Sequence, residues 1–354
     1  MNPGRCAFVL LLAVAGCAKD PTGPSNEGVP SIPNGVFVLN EGAFGDPAGA
    51  RLSAFDLTNA IVYRDLFEAG SGGAHLGSVG DDMVFLRGKA YCVMSGSENI
   101  AVVSLSDFSL VQSRSLPGDT PHDLFIDSTA GRLYVTRLFR NSVLVLDLAT
   151  LTTIDSITVG TNPLGMCLHG NILYVCNSGY GADNRVSLVD IRGDTVMATS
   201  FVGDGPSGVA LAPDGRVWVA CTGNAFGSPP TNGRIAIINA STGTVEDSIL
   251  FPTTLSGGMT MSTDGFAYVV GVSAGSFSGG PVHRVNTMTH AVTQDFISGT
   301  FYAIAVDNAT STILVSNAMN FTADGQVRIY TNAGALVTQF GTQLIPGVIL
   351  VRHG

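Results

Sequence analysis

Charge is scarce in this chain. Asp, Glu, Lys and Arg make up 12% of its 354 residues, and the formal net charge is −10. No basic stripe is present to displace counterions from phosphates, which excludes nucleic acid as a partner, and the anionic surface disfavours broad binding to acidic polymers. Sustained helical periodicity is also missing. Metal-binding spacings are absent as well: there is no CxxC and no HExxH, and the six histidines are scattered. Neither a metal nor a cofactor is expected.

What the chain has instead is glycine, with 44 residues, and short apolar runs that alternate with small or polar residues. The stretch from Pro206 to Leu250 shows the pattern best. Val209, Leu211, Val217, Val219, Ile235 and Ile237 fall at period two, and Pro213-Asp214-Gly215 and Ser241-Thr242-Gly243 supply turn chemistry. These are four short strands, a sheet too small to cover its own faces.

The pattern recurs. Equivalent first-strand positions fall at Asp82, Asp123, Gly165, Gly208, Gly258, Ala303 and Gly347, in steps of 41, 42, 43, 50, 45 and 44 residues. The last copy, Pro346 to Val351, is only a first strand. The N-terminus begins at Gly35 with a second strand (GVFVLN), then a third (RLSAFDL) and a fourth (IVYRDLF). The two ends complete one blade, so the expected fold is all-β: a seven-bladed β-propeller over residues 35–354, closed by the C-terminal strand joining the N-terminal blade. Radial closure leaves only short edges. Of the cysteines outside the leader, Cys92, Cys167, Cys176 and Cys221 sit in expected strands beside Val, Leu or Ala and read as buried thiols; spacing alone leaves an inter-blade disulfide open.

The first 16 residues read as an address. Arg5 precedes an apolar core from Phe8 to Ala15, well below the roughly 18 residues that span a bilayer, and Val14-Ala15-Gly16 places small residues before Cys17. This resembles a bacterial lipoprotein signal, which implies lipidation of Cys17 and an envelope location; Ala18 and Lys19 favour the outer membrane. Residues 17–34 carry four prolines and no apolar period, a tether.

In a four-stranded antiparallel blade, the loop from second to third strand and the link to the next blade emerge on one side. On the other side stand tight turns such as Pro213-Asp214-Gly215. The first side carries long Gly-rich loops with Asn40, Glu41, Phe44, Asn177, Tyr180, Asn224, Phe226, Phe277, Asn317 and Phe321. Long loops on one side of a rigid scaffold are where binding is usually found, and amides with aromatics at a funnel mouth suit a polar, partly flat ligand. For each Asn taken singly, bonding its own turn is the commoner role. His122 and Asp123, with Asp81 and Asp82, belong near the channel mouth, where an inter-blade hydrogen-bonding role outweighs a catalytic pair because no nucleophile accompanies them. Arg137 and Arg140 offer a grip for a carboxylate or phosphate, or neutralise Asp123.

The strands LYVTR, LYVCNS and VWVACTG, third strands ending VLDL, LVDI and IINA, and the Gly-x-x-Pro links VGTNPLG and VGDGPSG resemble the YVTN or YncE-like seven-bladed propellers, often labelled surface-layer-type repeat proteins. The resemblance covers Gly35 to Val351 and implies the fold. The opening VFVLNEGAFG and the run LGSVGDDMVFLRGKAYCVMSGSENIAVVSL look like YncE-like envelope lipoproteins. The BtuG-type members among their relatives are cobalamin-binding and pass the corrinoid to an outer-membrane transporter, although no ligand-contact motif carries over residue by residue. The expectation is a monomeric, non-enzymatic lipoprotein that binds a small molecule, with a corrinoid the most concrete candidate. The alternatives are a protein-binding scaffold or adhesion propeller and a propeller lactonase or lyase.

Overall fold

The computed structural model describes residues 29–273 and 279–354; the expected signal sequence, Cys17, most of the tether and Phe277 lie outside the described residues. Seven four-stranded antiparallel sheets form the blades. Their innermost strands, in blade order, are Pro346–Arg352, Gly80–Leu86, Pro121–Asp127, Pro163–His169, Pro206–Leu211, Leu255–Met261 and Ile304–Asp307. Each touches the innermost strand of the blade on either side, so the contacts run in a closed cycle.

Closure occurs where the repeat requires it. Gly35–Asn40 pairs antiparallel with Pro346–Arg352, with Val36 opposite Val351 and Phe37 opposite Leu350. The same strand pairs on its other side with Arg51–Asp56. Every residue of Gly35–Asn40 is buried, because both blade faces are covered by neighbours. Outermost strands such as Val245–Leu250 are exposed almost throughout.

The core is a set of layers between blades. Phe37, Leu39, Met83, Cys92 and Phe108 fill the seam of blades 1 and 2, where Phe37 meets Phe85 edge to face at 5.3 Å. At the seam of blades 7 and 1, Phe55 stacks on Phe340 at 4.7 Å. Cys92, Cys167, Cys176 and Cys221 are free thiols, and burial pushes Cys167 and Cys221 up to about 12.

The Asp or Asn that ends the third strands has a mechanical reason. Asp56 Oδ1 accepts from Thr58 N (2.7 Å) and Asn59 N (3.1 Å). Asp147 Oδ1 does so from Ala149 and Thr150, and Asn239 Oδ1 from Ser241 and Thr242. Each side chain thus builds the turn into the outermost strand.

Two expected boundaries move. The fourth strand of blade 1 is only Ile61–Tyr63, and a one-turn helix, Leu66–Gly70, follows. Asp65 takes a left-handed conformation that turns the chain, and Leu66 and Phe67 are buried in the blade 1–2 core. The tether also ends sooner than expected: Ile32 is buried and Val29 packs beside it, so residues 29–34 are part of the domain.

Phe37 is fully buried at the closing blade. Phe37→Ala is therefore expected to cost about 3–5 kcal/mol in urea unfolding; a loss below about 1 kcal/mol would show that this seam does not hold the ring.

Candidate functional site

The innermost strands surround a funnel of about 770 Å³, to which all seven blades contribute wall residues. It opens on the side of the long second-to-third loops, since residues of the loops at 177–184 and 222–233 form part of its wall.

Close approach shapes one part of the wall. A Cβ on Gly165 would collide with the carbonyl of Ser207, and one on Gly208 with the carbonyl of Gly257. The inner strands of blades 4, 5 and 6 therefore pack backbone to backbone, and their glycines leave the channel open. Leu164, Met166, Val209, Met259 and Ile304 give this sector an apolar lining.

The opposite sector is acidic. Glu41 follows the second strand of blade 1, Asp81 lies on the inner strand of blade 2, and His122 and Asp123 lie on that of blade 3; all four line the funnel. Glu41 Oε1 accepts a hydrogen bond from the Tyr302 hydroxyl at 2.8 Å. A Cβ on Gly347 would stand 2.7 Å from that oxygen, so the glycine makes room for the carboxyl. Burial raises Glu41 from its ordinary 4.5 to about 7, against the lowering effect of the Tyr302 bond, and the Asp81 charge adds to the rise.

Asp81 Oδ2 accepts from Ser95 N at 2.9 Å, and its Oδ1 faces His122 Nε2 at 3.5 Å. Burial raises its carboxyl while His122 and Ser95 pull it down. Asp82 links two blades by accepting from Leu124 N at 2.9 Å, and also from Met83 N at 2.8 Å. Asp123 stands well above the ordinary carboxylate range, first through burial and then through the charges of Asp82 and Asp81. No lysine or arginine lines the funnel among the described residues.

The expected site residues divide clearly. Glu41, His122, Tyr180, Asn224 and Phe226 line the funnel. Tyr180 and Phe226 form its lip, 66% and 87% exposed, and Tyr180 holds a left-handed conformation (φ 52°, ψ 42°) between two glycines. Asn224 Oδ1 accepts from Phe226 N at 3.1 Å and so shapes the lip loop. Phe321 lies behind the wall, edge-on to Tyr302 at 5.5 Å.

The others do not reach the funnel. Asn40 and Asn177 are fully buried. Their amides donate to Ser53 Oγ (2.7 Å) and Ser187 Oγ (3.0 Å), and their carbonyls accept from Gln343 N and Gly160 N. Both amides are thus consumed in joining second strands to third strands and to adjoining loops. Phe44, 95% exposed, stands in solvent outside the funnel. Asn317 bounds a separate shallow depression with Met319 and Asn320. Arg137 and Arg140 both pair with Asp119, at 3.3 and 3.4 Å, rather than with Asp123 or the funnel. Tyr302 was missed; its only signal in the sequence is its place in a link between blades, one residue before the apolar run of a first strand.

Among the described residues, no three His, Cys, Asp or Glu side chains come together in an arrangement that would hold a metal ion, and no helix is long and apolar enough to cross a membrane.

Several solved structures share the architecture. The chain is similar to a quinonprotein alcohol dehydrogenase-like protein from Bacteroides thetaiotaomicron, at 15% identity and a TM-score of 0.70 over 90% of this chain and 78% of that one. It is similar to a putative 6-phosphogluconolactonase from Bacteroides fragilis, at 13% identity and 0.66 over 93% and 99%, and to virginiamycin B lyase from Staphylococcus aureus, at 17% and 0.56 over 74% and 83%. At these identities the likeness is one of fold. No curated protein sequence matches the chain. Residues 34–333, the greater part of its length, match a single family. The chain belongs to the family described as Domain of unknown function (DUF5074).

Proposed function

We propose that the protein captures a small organic ligand in the channel mouth without transforming it. The observation that carries this reading is the funnel itself: about 770 Å³, walled by every blade, acidic on one side and apolar on the other, with two exposed aromatic rings at its lip. Such a cavity is preformed by the ring, so little ordering accompanies binding. The Gly-rich loops present Tyr180 and Phe226 to the faces of a flat ligand, and the acidic wall takes its polar edge. The resemblance to corrinoid-binding envelope lipoproteins makes cobalamin the first compound to try, and Cys17 would hold the funnel near an outer-membrane transporter.

One observation favours catalysis as a second reading. Glu41, at about 7 beside the Tyr302 hydroxyl, is suited to exchanging a proton near neutrality. Chemical change in a bound compound during titration would move the protein into that class.

A thermal-shift panel of small molecules that includes cobalamin tests capture directly, because a ligand that binds only the folded state raises the melting temperature by mass action. For any compound that shifts it, Tyr180→Ala with Phe226→Ala is expected to weaken binding by about 1–2 kcal/mol, roughly five- to thirtyfold, while the unliganded melting temperature holds. Unchanged affinity would remove the lip from the site.

Radiolabelled palmitate fed to expressing bacterial cells is expected to label the protein and to be lost in Cys17→Ala. Label persisting in the variant would place any acyl chain elsewhere.

Stability should also report on the funnel acids. A carboxyl raised in the fold contributes stability that is fully present below its unfolded value, about 4.5 for Glu41, and is lost as pH rises through its folded value, about 7. Glu41→Gln should remove its share of that fall, at most about 3 kcal/mol, in urea unfolding compared at pH 4.5 and pH 8. An undiminished fall in the variant would show that Glu41 titrates normally.

A further inference from the structure

We infer that the ligand is an amphipathic organic cation, an N–H-bearing ammonium or amidinium on an apolar, ring-sized body, with its charge held at Asp123 and flanked by Asp81 and Glu41. This rests on the reading of the channel mouth as a capture site and names for what is captured a chemical class other than cobalamin's.

The repeat supplies an internal comparison. Asp82 and Asp123 occupy equivalent places on the inner strands of blades 2 and 3. The Asp82 carboxylate is absorbed by the scaffold, with one oxygen on Met83 N and the other on Leu124 N of the next blade. Asp123, one blade further on, receives no hydrogen bond on its carboxylate from the described residues; its polar contacts are the backbone ones with Thr136. It lines the funnel, whereas Asp82 does not. In the other five blades the equivalent places hold Gly165, Gly208, Gly258, Ala303 and Gly347, which put no side-chain polar group there.

The surroundings of Asp123 select the sign and the donors of a ligand. Asp81 has given one oxygen to Ser95 N, and its other faces His122. Glu41 has one oxygen on the Tyr302 hydroxyl. Ionised carboxylates only accept, so the docking group must bring N–H or O–H donors. An anion would add a further negative charge beside these acids, and a neutral group would gain no ion pair from them.

Farther round the funnel, the half-buried Val209 and Met259 offer an apolar surface for the body of the ligand. Tyr180 and Phe226 at the lip suit a flat or cationic group through their ring faces. A bare metal ion fits less well, since the described acids do not converge in a metal-holding arrangement.

Burial and the charges of Asp82 and Asp81 favour the protonated form of Asp123 in the ligand-free protein. A cation arriving beside it reverses that balance and releases protons. Asp81, Asp82, Glu41, His122, Cys176, Tyr180 and Tyr302 are the titratable groups around it, and all but Asp82 and Cys176 line the funnel.

Three compounds of one shape make the test with the full chain: 2-naphthylmethylamine, 2-naphthylmethanol and 2-naphthoate, titrated calorimetrically at pH 7 in two buffers of different ionisation enthalpy. The amine is expected to bind at least tenfold tighter than the alcohol and to release protons, with the carboxylate not binding. Asp123→Asn should erase the amine's advantage over the alcohol. Equal affinity of amine and alcohol, no binding by the amine, or an advantage that survives Asp123→Asn would each overturn the cation assignment. If the variant does not fold, the comparison among the three compounds in the unmodified protein decides. Failure of capture itself reads differently: no compound of any charge would then respond to Tyr180→Ala with Phe226→Ala.

Discussion

The structure depends on one antiparallel pairing, that of Gly35–Asn40 with Pro346–Arg352. Each blade buries its faces only against its neighbours, so an open array would leave two apolar faces in water and an unpaired strand edge at one end. The pairing removes both, and it brings the two ends of the sequence into one sheet. The consequence reaches the funnel, because Glu41 directly follows the closing strand and its carboxyl lies over Gly347 from the other end of the chain. Ring closure and the acidic wall are built by the same few residues.

Inside that ring, the repeat and its departures do different work. Where it is regular, Asx turns, buried second strands and glycine-to-backbone contacts set blade spacing. The inner strands of blades 4 to 6 approach so closely that only glycine fits at Gly165 and Gly208. Where it departs, at Asp82 and Asp123, the larger side chains must find partners. Asp82 finds backbone N–H groups on its own and the adjacent blade, and Asp123 faces the channel. The two aspartates of the inner-strand place thus stand side by side in blades 2 and 3, where the glycine of the repeat is replaced.

Fold was legible in the sequence because it is written seven times. A 41-to-50-residue spacing, period-two strands and mutually completing termini each carry information that no single sheet holds. The short helix at Leu66–Gly70 was not legible, since LFEAG continues an apolar run and only the left-handed Asp65 separates it from the strand. The site was legible in part. Long loops marked the side on which the funnel opens, and Tyr180, Phe226, Glu41 and His122 line it. The amides misled for a physical reason. An Asn at the end of a second strand stands beside a serine of the third, as Asn40 beside Ser53 and Asn177 beside Ser187, and two neutral polar groups buried together satisfy each other. Arg137 and Arg140 misled because Asp119, in the link between blades 2 and 3, pairs with both.

The acids of the funnel also weigh on the stability of the scaffold. Glu41, Asp81, Asp82 and Asp123 are all raised, with burial the leading cause in each, which means that the fold disfavours their charges and holds protons that an unfolded chain would release. At the inner-strand place of Asp82 and Asp123 the other five blades carry glycine or, in blade 7, Ala303, and so bear no such cost. Two of the four have structural partners that offset part of the cost: Asp82 joins two blades, and Asp81 caps Ser95 while facing His122. Glu41 has a single hydroxyl, and Asp123 has no hydrogen bond to its carboxylate among the described residues. The carboxyls least supported by the scaffold therefore stand on two residues that line the open cavity, where a partner from solution can reach them, and this is the physical reason for seeking the function of the ring at its mouth and not in its loops alone.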